Sequence, residues 1–339
     1  MTDESTDVTQ AESGSKRIIV LGGTGTIGMA TVAALVERGH RAVCLVRPAS
    51  RKRARRDLHP DAEIRPCEVT DPDALARDGF RGETFDVMVS CLASRTGAPQ
   101  DAWAIDYGAH SQALDVARAS GISHMVLLSA ICVQRPRLAF QKAKRAFENE
   151  LIASGLPYSI VRPTAFFKSL SGQIDRVRRG KPYLVFGDGQ LTACKPISDG
   201  DLGRYLADCV DDTGRRNQVL PIGGPGPAIT PLVQGEWLFE LLNRPPRIRR
   251  VPIAVLDASI LALSAAGRVS RWARDKAELA RIGRYYATES MLVLDPATGQ
   301  YDADATPSTG TETLYDFYAA AITDGRKIDL GDHAVFKGS

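Results

Sequence analysis

Residues 17–28 read RIIVLGGTGTIG, and this short run already indicates the architecture of the chain. The β-branched run Arg17–Leu21 predicts a buried strand, which leads directly into glycines that open a predicted helix over residues 26–38. Glycine lets the backbone turn sharply and approach a pyrophosphate, which the free N–H groups and the dipole of the helix attract. We therefore predict a dinucleotide-binding loop whose contacts come from Gly22, Thr24, Gly25, Thr26, Ile27 and Gly28.

Strands and helices alternate along the first half of the chain. Further strands are predicted over residues 42–46, 63–69, 86–90, 124–129 and 158–162, and helices over 103–120 and 137–154. This alternation is typical of an α/β fold of Rossmann type, with a doubly wound parallel sheet. After Pro163 the chain is richer in Gly and Pro, which predicts a smaller C-terminal substrate lobe. The expected division is a disordered tail over 1–15, a nucleotide-binding domain over 16–165, a substrate lobe over 166–330 partly interleaved with the sheet, and a tail over 331–339.

The composition excludes several classes of protein. The chain has 339 residues, of which 44% are hydrophobic and 24% charged, and its net charge is +3, too small for a bulk nucleic-acid binder. Six cysteines form no C-x-x-C pair, which argues against a disulfide scaffold or a structural zinc site and favours a reducing cytosol. No apolar run approaches the ~20 residues that span a bilayer. Residues 1–15 contain acidic but no basic residues, unlike a signal or transit peptide, so we expect a cytoplasmic protein.

The end of the second strand indicates which dinucleotide binds. NAD sites place an acidic residue about 20 residues after the glycines to hold the ribose hydroxyls. Here Arg47 stands at that position, followed by Arg51, and guanidinium groups bind a 2′-phosphate that a carboxylate would repel. NADPH is the predicted cofactor. The alternative is a solvated basic face, which we prefer for Arg55 and Arg56.

The helix after the fifth strand carries the candidate catalytic group. Short-chain dehydrogenases use Tyr-x-x-x-Lys there, but this chain has Phe140 and retains Lys144. The pattern resembles the atypical branch of that superfamily, including isoflavone-reductase-like enzymes, in which the lysine works without the tyrosine. Lys144 can then hold the nicotinamide ribose and supply a proton, unless it is only a solvated helix lysine. Ser129, at the end of the fifth strand, is a second catalytic candidate beside the nicotinamide, or a turn former.

Other strand ends are expected to border the cofactor. Val69 ends the predicted third strand, where adenine is usually bordered. Cys91, Leu92 and Ala93 follow the fourth strand and are expected beneath the adenosine ribose. The carboxyl edge of the sheet is the expected ligand crevice. Predicted nicotinamide contacts there are Pro163, Thr164 and Ala165.

Long and unusual strings in both halves resemble the divinyl chlorophyllide a 8-vinyl-reductase family, which belongs to the NmrA and isoflavone-reductase-like group. The strings are SCLASR (90–95), LLSAICVQ (127–134), SIVRPTAFFKSL (159–170), FGDG (186–189), ACKPIS (193–198), NQVLPIGGPG (217–226) and IGRYYATESMLVLDP (282–296). The resemblance extends from about residue 16 to about residue 330.

The resemblance implies NADPH-dependent reduction of the 8-vinyl group of divinyl chlorophyllide a, or of its protochlorophyllide precursor, to ethyl. A vinyl group conjugated to the macrocycle accepts hydride at its outer carbon, and a proton completes the inner carbon. No oxygen develops charge, so the missing tyrosine matters less. Magnesium belongs to the substrate, and we expect no protein metal site. Two alternatives stay open: reduction of another conjugated alkene, and a non-catalytic NADP-binding regulator of NmrA type.

The tetrapyrrole that the resemblance implies needs an aromatic wall and a cation for its propionate. Phe166 and Phe167 can stack on the macrocycle or pack between the lobes. Candidates for the propionate are Lys168, Lys195 and Arg284, and Tyr285 or its neighbour Tyr286 can line the pocket.

The resemblance also bears on the compartment and on membrane contact. Plant members begin with a transit peptide that residues 1–15 do not resemble, which favours a bacterial cytoplasmic form, peripheral to a photosynthetic membrane. The apolar run Val255–Ala266 can enclose the substrate, rest on a membrane or pack in the core. The oligomeric state is left open.

Overall fold

The computed structural model describes residues 14–324, so most of the two expected terminal tails lies outside the described residues. The strands are β1 (Arg17–Leu21), β2 (Arg41–Val46), β3 (Glu63–Pro66), β4 (Val87–Ser90), β5 (His124–Leu128), β6 (Tyr158–Pro163), β7 (Tyr183–Phe186), β8 (Gln218–Ile222), β9 (Ile248–Val251), β10 (Val293–Leu294) and β11 (Tyr301–Asp302). The helices are α1 (Thr26–Glu37), α2 (Arg51–Asp57), α3 (Pro72–Ala74), α4 (Pro99–Ala102), α5 (His110–Ala119), α6 (Ala139–Ala153), α7 (Phe167–Leu170), α8 (Ile174–Arg178), α9 (Asp199–Asp211), α10 (Pro231–Leu241), α11 (Ile253–Ala266), α12 (Arg271–Thr288) and α13 (Leu314–Thr323).

The main sheet has seven parallel strands in the order β3-β2-β1-β4-β5-β6-β8. Strand β1 is central and apolar because both of its faces are covered. Ile18 and Val20 pack towards α1 and α9, and Ile19 and Leu21 pack towards α5 and α6. The predicted Rossmann-type fold is confirmed. The strand order reverses between β1 and β4, which places the ligand crevice at the carboxyl ends of these strands.

The second half of the chain contributes to the sheet as well as to the smaller lobe. Strand β8 pairs with β6, and α9 packs closely on α1. A Cβ on Gly203 would lie 2.6 Å from the carbonyl carbon of Ala30, so this approach requires glycine. Residues 199–222 therefore belong to the sheet layers although they follow residue 165 in the chain.

The smaller lobe has its own core over the carboxyl edge of the sheet. Strands β7 and β9 pair with each other, and the core includes Phe167, Tyr183, Phe239 and Tyr318. Phe166 bridges to Ile197 where the chain leaves β6, which joins the lobe to the sheet. No helix in the described part of the chain combines the length and the apolar character needed to cross a bilayer.

Two predicted elements differ from the structure. Strand β3 ends at Pro66 rather than residue 69, level with Val46, where its partner strand β2 also ends. The helix expected over 103–120 begins with a π-helical turn, Trp103–Ala109, before α5. This wider turn contains Asp106, which faces α6.

Candidate active site

The glycine loop has the shape that a pyrophosphate requires. A Cβ on Gly22 would lie 2.5 Å from the carbonyl carbon of Cys91, and one on Gly28 would lie 2.2 Å from the oxygen of Gly22. A Cβ on Gly25 would lie 3.4 Å from its nearest neighbour, the oxygen of Gly22, so no close packing requires glycine there and the space beside it is open. No side chain caps α1, and its first turn holds no acidic residue. The uncapped N–H groups and the open face at Gly25 fit a phosphate group.

The basic residues after β2 separate into two groups. Arg53 and Arg56 both pair with Asp57. Arg47 and Arg51 are exposed and make no ion pair within residues 14–324. They are therefore free to bind a phosphate in the way predicted. Nearby, the side chain of Val69 is buried in the core.

A cavity of about 440 Å³ opens between the sheet edge and the smaller lobe, within the ~300–1,000 Å³ common for ligand sites. It brings together nine predicted residues: Leu92, Ala93, Ser129, Lys144, Pro163, Thr164, Ala165, Phe166 and Lys168. Its lining is mainly apolar, with Lys144, Ser129 and Asp106 grouped on the sheet side. Cys91 does not line it and instead packs against Gly22 and Thr31.

Lys144 is paired with a carboxylate that the sequence did not indicate. Its Nζ lies 3.1 Å from Asp106 Oδ1, and the lysine side chain is only 12% exposed. Asp106 is fully buried, and its Oδ2 has no hydrogen-bond partner among the described residues. Lys144 is thus not a solvated helix lysine. The two side chains form a largely buried ion pair at the cavity wall.

Ser129 belongs to a second buried network. Its Oγ donates to Glu148 Oε1 at 2.6 Å, and Arg162 Nε donates to the same oxygen at 3.0 Å. Glu148 is completely buried, so the arginine balances its charge. The hydroxyl proton of Ser129 is therefore committed to Glu148, and the hydroxyl can only accept hydrogen bonds from the cavity. Neither Glu148 nor Arg162 was indicated by the sequence.

Two residues expected to contact the substrate, Tyr285 and Phe167, are not among those that line the cavity. The Tyr285 hydroxyl donates to the carbonyl of Cys132 at 3.0 Å and fastens the loop after β5, while Tyr286 lines the cavity. Phe167 is 3% exposed and packs on Phe317, with ring centroids 5.5 Å apart. Of the two adjacent phenylalanines, only Phe166 lines the cavity.

The three cations considered for a substrate carboxylate lie in different places. Lys195 Nζ donates to the carbonyl of Thr306 at 2.9 Å. Arg284 pairs with Asp257 on α11. Lys168 lines the cavity, and its Nζ lies 3.3 Å from Thr26 Oγ1 at the start of α1. Its charge is thus directed at the glycine loop rather than at the far wall of the cavity.

Comparisons with known proteins agree with this geometry. The family described as NAD(P)H-binding matches residues 22–213. A divinyl chlorophyllide a 8-vinyl-reductase of Oryza sativa subsp. indica is 49% identical, over 94% of this chain and 82% of its own length. A photosystem II assembly factor, Ycf39 of Synechocystis sp., is 23% identical over 92% of this chain and 94% of its own length.

Among solved structures, the NADPH-dependent quinone oxidoreductase QOR2 of Escherichia coli, complexed with NADPH, has a similar fold. The TM-score is 0.66 at 17% identity, over 90% of this chain and 99% of the other. The NAD(P)H-binding match covers more than half of the chain, and the rice reductase is similar along most of both sequences. The chain therefore belongs to the NAD(P)H-binding family and, within it, to the divinyl chlorophyllide a 8-vinyl-reductase family.

Proposed function

We propose that this protein reduces the 8-vinyl group of divinyl chlorophyllide a, or of divinyl protochlorophyllide a, to ethyl with NADPH. The observation that carries the proposal is 49% identity to a reductase of this name over 94% of the chain, a span that includes both the sheet and the smaller lobe. The cavity between these two parts contains an apolar wall and one buried lysine–aspartate pair. That combination suits a flat, apolar substrate that must receive a proton.

The residues present fit the cofactor along its length. We assign the 2′-phosphate to Arg47 and Arg51 and the adenosine to Val69, Cys91, Leu92 and Ala93. The pyrophosphate is assigned to the glycine loop, residues 22–28, with Lys168 adding positive charge from the opposite lobe. The nicotinamide end is assigned to the strand exit at Pro163, Thr164 and Ala165. When bound, the reduced nicotinamide supplies the hydride.

Lys144 is assigned the proton. Its ammonium is at the cavity wall, where Asp106 Oδ1 lies 3.1 Å from Nζ. The ammonium holds a transferable proton at Nζ, and the carboxylate limits where Nζ can move. Ser129 donates its own proton to Glu148, so we assign it to orienting a hydrogen-bond donor of the bound ligands rather than to proton transfer.

The apolar wall has a separate task. Phe166 comes from the exit of β6, and Tyr286 comes from α12 on the other side of the cavity. Aromatic faces at these positions favour stacking on a planar macrocycle and keep water away from the reacting carbons. An apolar environment also makes the lysine–carboxylate attraction stronger than it would be in water.

The proposal is tested by an anaerobic assay of the purified protein with NADPH and each divinyl substrate, separated by chromatography. Formation of the monovinyl product supports it and identifies the preferred substrate. Binding of NADPH without product from either substrate would favour a non-catalytic NADP-binding regulator. Turnover of only an unrelated conjugated alkene would favour a reductase with a different substrate. A bacterial cytoplasmic location stays a prediction.

A further inference from the structure

Helix α11 presents an apolar face that nothing in the described part of the chain covers. We call this face the apolar stripe. It consists of the exposed residues Ala254, Val255, Ala258, Leu261, Ala262, Ala265 and Ala266. The spacing of three and four residues places them along one side of the helix. No residue of α11 is buried, so packing in the core does not explain why this helix is apolar.

The stripe continues past the end of α11 into the connection to α12. Leu261 is 75% exposed, Val269 is 93% exposed and Trp272 is 66% exposed. Large apolar side chains grouped in this way, rather than scattered singly, mark a surface that meets an apolar partner. The opposite side of α11 is held by α12, where Arg281 donates to Ser264 Oγ at 2.7 Å.

Positive charge surrounds both ends of the stripe. Residues 267–277 contain four basic residues, Arg268, Arg271, Arg274 and Lys276, and one acidic residue, Asp275. At the other end, Arg249 and Arg250 of β9 are exposed. The segment 267–277 thus has the same net charge, +3, as the whole chain. A second copy of this chain would bring like charges together, whereas an anionic lipid surface would attract them.

These features point to one occupant, and we propose that the α11–α12 hairpin docks on an anionic lipid bilayer. The stripe enters the boundary between headgroups and acyl chains, Trp272 lies at that boundary, and the flanking arginines contact lipid phosphates. The α11–α12 hairpin would then be the surface that makes the peripheral membrane contact expected from the sequence. It requires no membrane-spanning segment.

The docking surface and the cavity share helix α12. Trp272 is in the first turn of α12, and Ile282, Gly283 and Tyr286 line the cavity further along the same helix. Ile282 lies ten positions after Trp272 on the helix, a distance of about 15 Å. A lipid surface at one end of α12 would therefore lie near the wall of the cavity in which the proposed apolar substrate binds. This connection to the substrate rests on the proposed function, but the docking itself does not.

The test is flotation of the full chain with vesicles of phosphatidylcholine, alone or mixed with phosphatidylglycerol. We expect binding to the mixed vesicles, weakened by added salt, and roughly tenfold weaker binding for Leu261→Glu and Trp272→Glu. Ile152→Glu is the matched control, because Ile152 is an exposed apolar residue of α6 away from the hairpin. Each variant must keep the NADPH affinity and the melting temperature of the parent.

Trp272 also provides a direct optical signal. We expect its emission to shift to shorter wavelength when the mixed vesicles are added, and Trp272→Phe to abolish the shift. Failure of the parent to float with the mixed vesicles, or equal flotation of parent, Leu261→Glu and Trp272→Glu, would overturn the proposal. An oligomer in lipid-free solution that Leu261→Glu dissociates would overturn it in favour of a second copy of the chain. None of these readouts depends on reductase activity.

Discussion

Lys144 of α6 and Asp106 of the π-helical turn before α5 form an ion pair at the wall of the cavity, with 3.1 Å between Nζ and Oδ1. The carboxylate is buried, and the lysine is nearly so. Removing one partner of a buried pair leaves the other charge uncompensated, which is costly. The pair therefore fixes where the Lys144 ammonium lies, and that position matters for a proton donor.

The first prediction concerns the lysine itself. Lys144→Ala is expected to lower kcat by ~10²-fold or more, because a positioned acid or base contributes that much to proton transfer. Lys142→Ala is the matched control, since Lys142 is exposed on the same helix and does not line the cavity. Steady-state kinetics with the monovinyl product as readout measures both. Turnover of Lys144→Ala close to that of the parent would remove the catalytic assignment.

The second prediction concerns the carboxylate. Asp106→Asn keeps the shape of the side chain but removes the charge that pairs with the Lys144 ammonium. We expect kcat to fall with little change in KM, because Nζ loses the carboxylate that holds it at the cavity wall. A purely structural role for Asp106 would lower the melting temperature and leave the kcat of the folded enzyme unchanged. Steady-state kinetics and thermal unfolding of the same preparation separate the two explanations.

The third prediction concerns the 2′-phosphate. Arg47→Ala is expected to raise the Kd for NADPH much more than the Kd for NADH, because only NADPH carries the phosphate that a guanidinium binds. Fluorescence titration of both nucleotides gives the ratio. Arg55→Ala, which removes another exposed arginine nearby, is expected to change neither affinity. Equal losses for NADPH and NADH in Arg47→Ala would contradict the assignment.

The fourth prediction distinguishes cofactor from substrate at Lys168. Because its Nζ lies 3.3 Å from Thr26 Oγ1, we expect Lys168→Met to weaken NADPH binding by roughly tenfold, with partial recovery in Lys168→Arg. Binding of 2′-phospho-ADP-ribose, which retains the pyrophosphate, is expected to be weakened to a similar extent in Lys168→Met. A raised KM for the tetrapyrrole with unchanged NADPH affinity would instead return Lys168 to the substrate propionate.

The fifth prediction follows from two buried histidines. Burial, with a smaller effect of Lys144, lowers the pKa of His110 from 6.5 to about 4, and burial lowers the pKa of His124 in the same way. The unfolded chain takes up these protons first as the pH falls. The free energy of unfolding is therefore expected to fall between pH 6.5 and pH 4, by up to about 1.4 kcal/mol per pH unit for each histidine.

Urea unfolding at a series of pH values measures this dependence. His110→Gln is expected to make the acid dependence shallower, because it removes one of the two buried groups whose pKa is lowered. A free energy of unfolding that stays constant down to pH 4.5 would contradict the prediction.

The local parts of the site were predictable from the sequence, and the parts made by tertiary packing were not. The glycine loop follows from a strand–glycine–helix pattern within twelve residues. Which of Tyr285 and Tyr286 faces the cavity could not be predicted from the sequence. Successive helical residues point about 100° apart around the axis, and only packing decides which one faces the cavity. Asp106 meets Lys144 across 38 positions of sequence. A carboxylate within the mainly apolar run AWAIDYGA is at most a weak signal of that pairing.

Strand β8 shows the same limit at the level of the fold. Its sequence, QVLPI, contains a proline, and it lies far from the first six strands of the sheet in the chain. Proline is accepted there because β8 is the edge strand, paired only with β6. The edge position is a property of the assembled sheet, so the strand could not be assigned from its own residues.

The central claim, reduction of the vinyl group by NADPH, is tested most directly with NADPH deuterated at the transferred position and divinyl chlorophyllide a under anaerobic conditions. Our account predicts a monovinyl product that carries one deuterium in its 8-ethyl group, and the same mass shift with the protochlorophyllide if that form is preferred. Unchanged divinyl substrate in both cases, despite saturating NADPH and demonstrated binding, would contradict it.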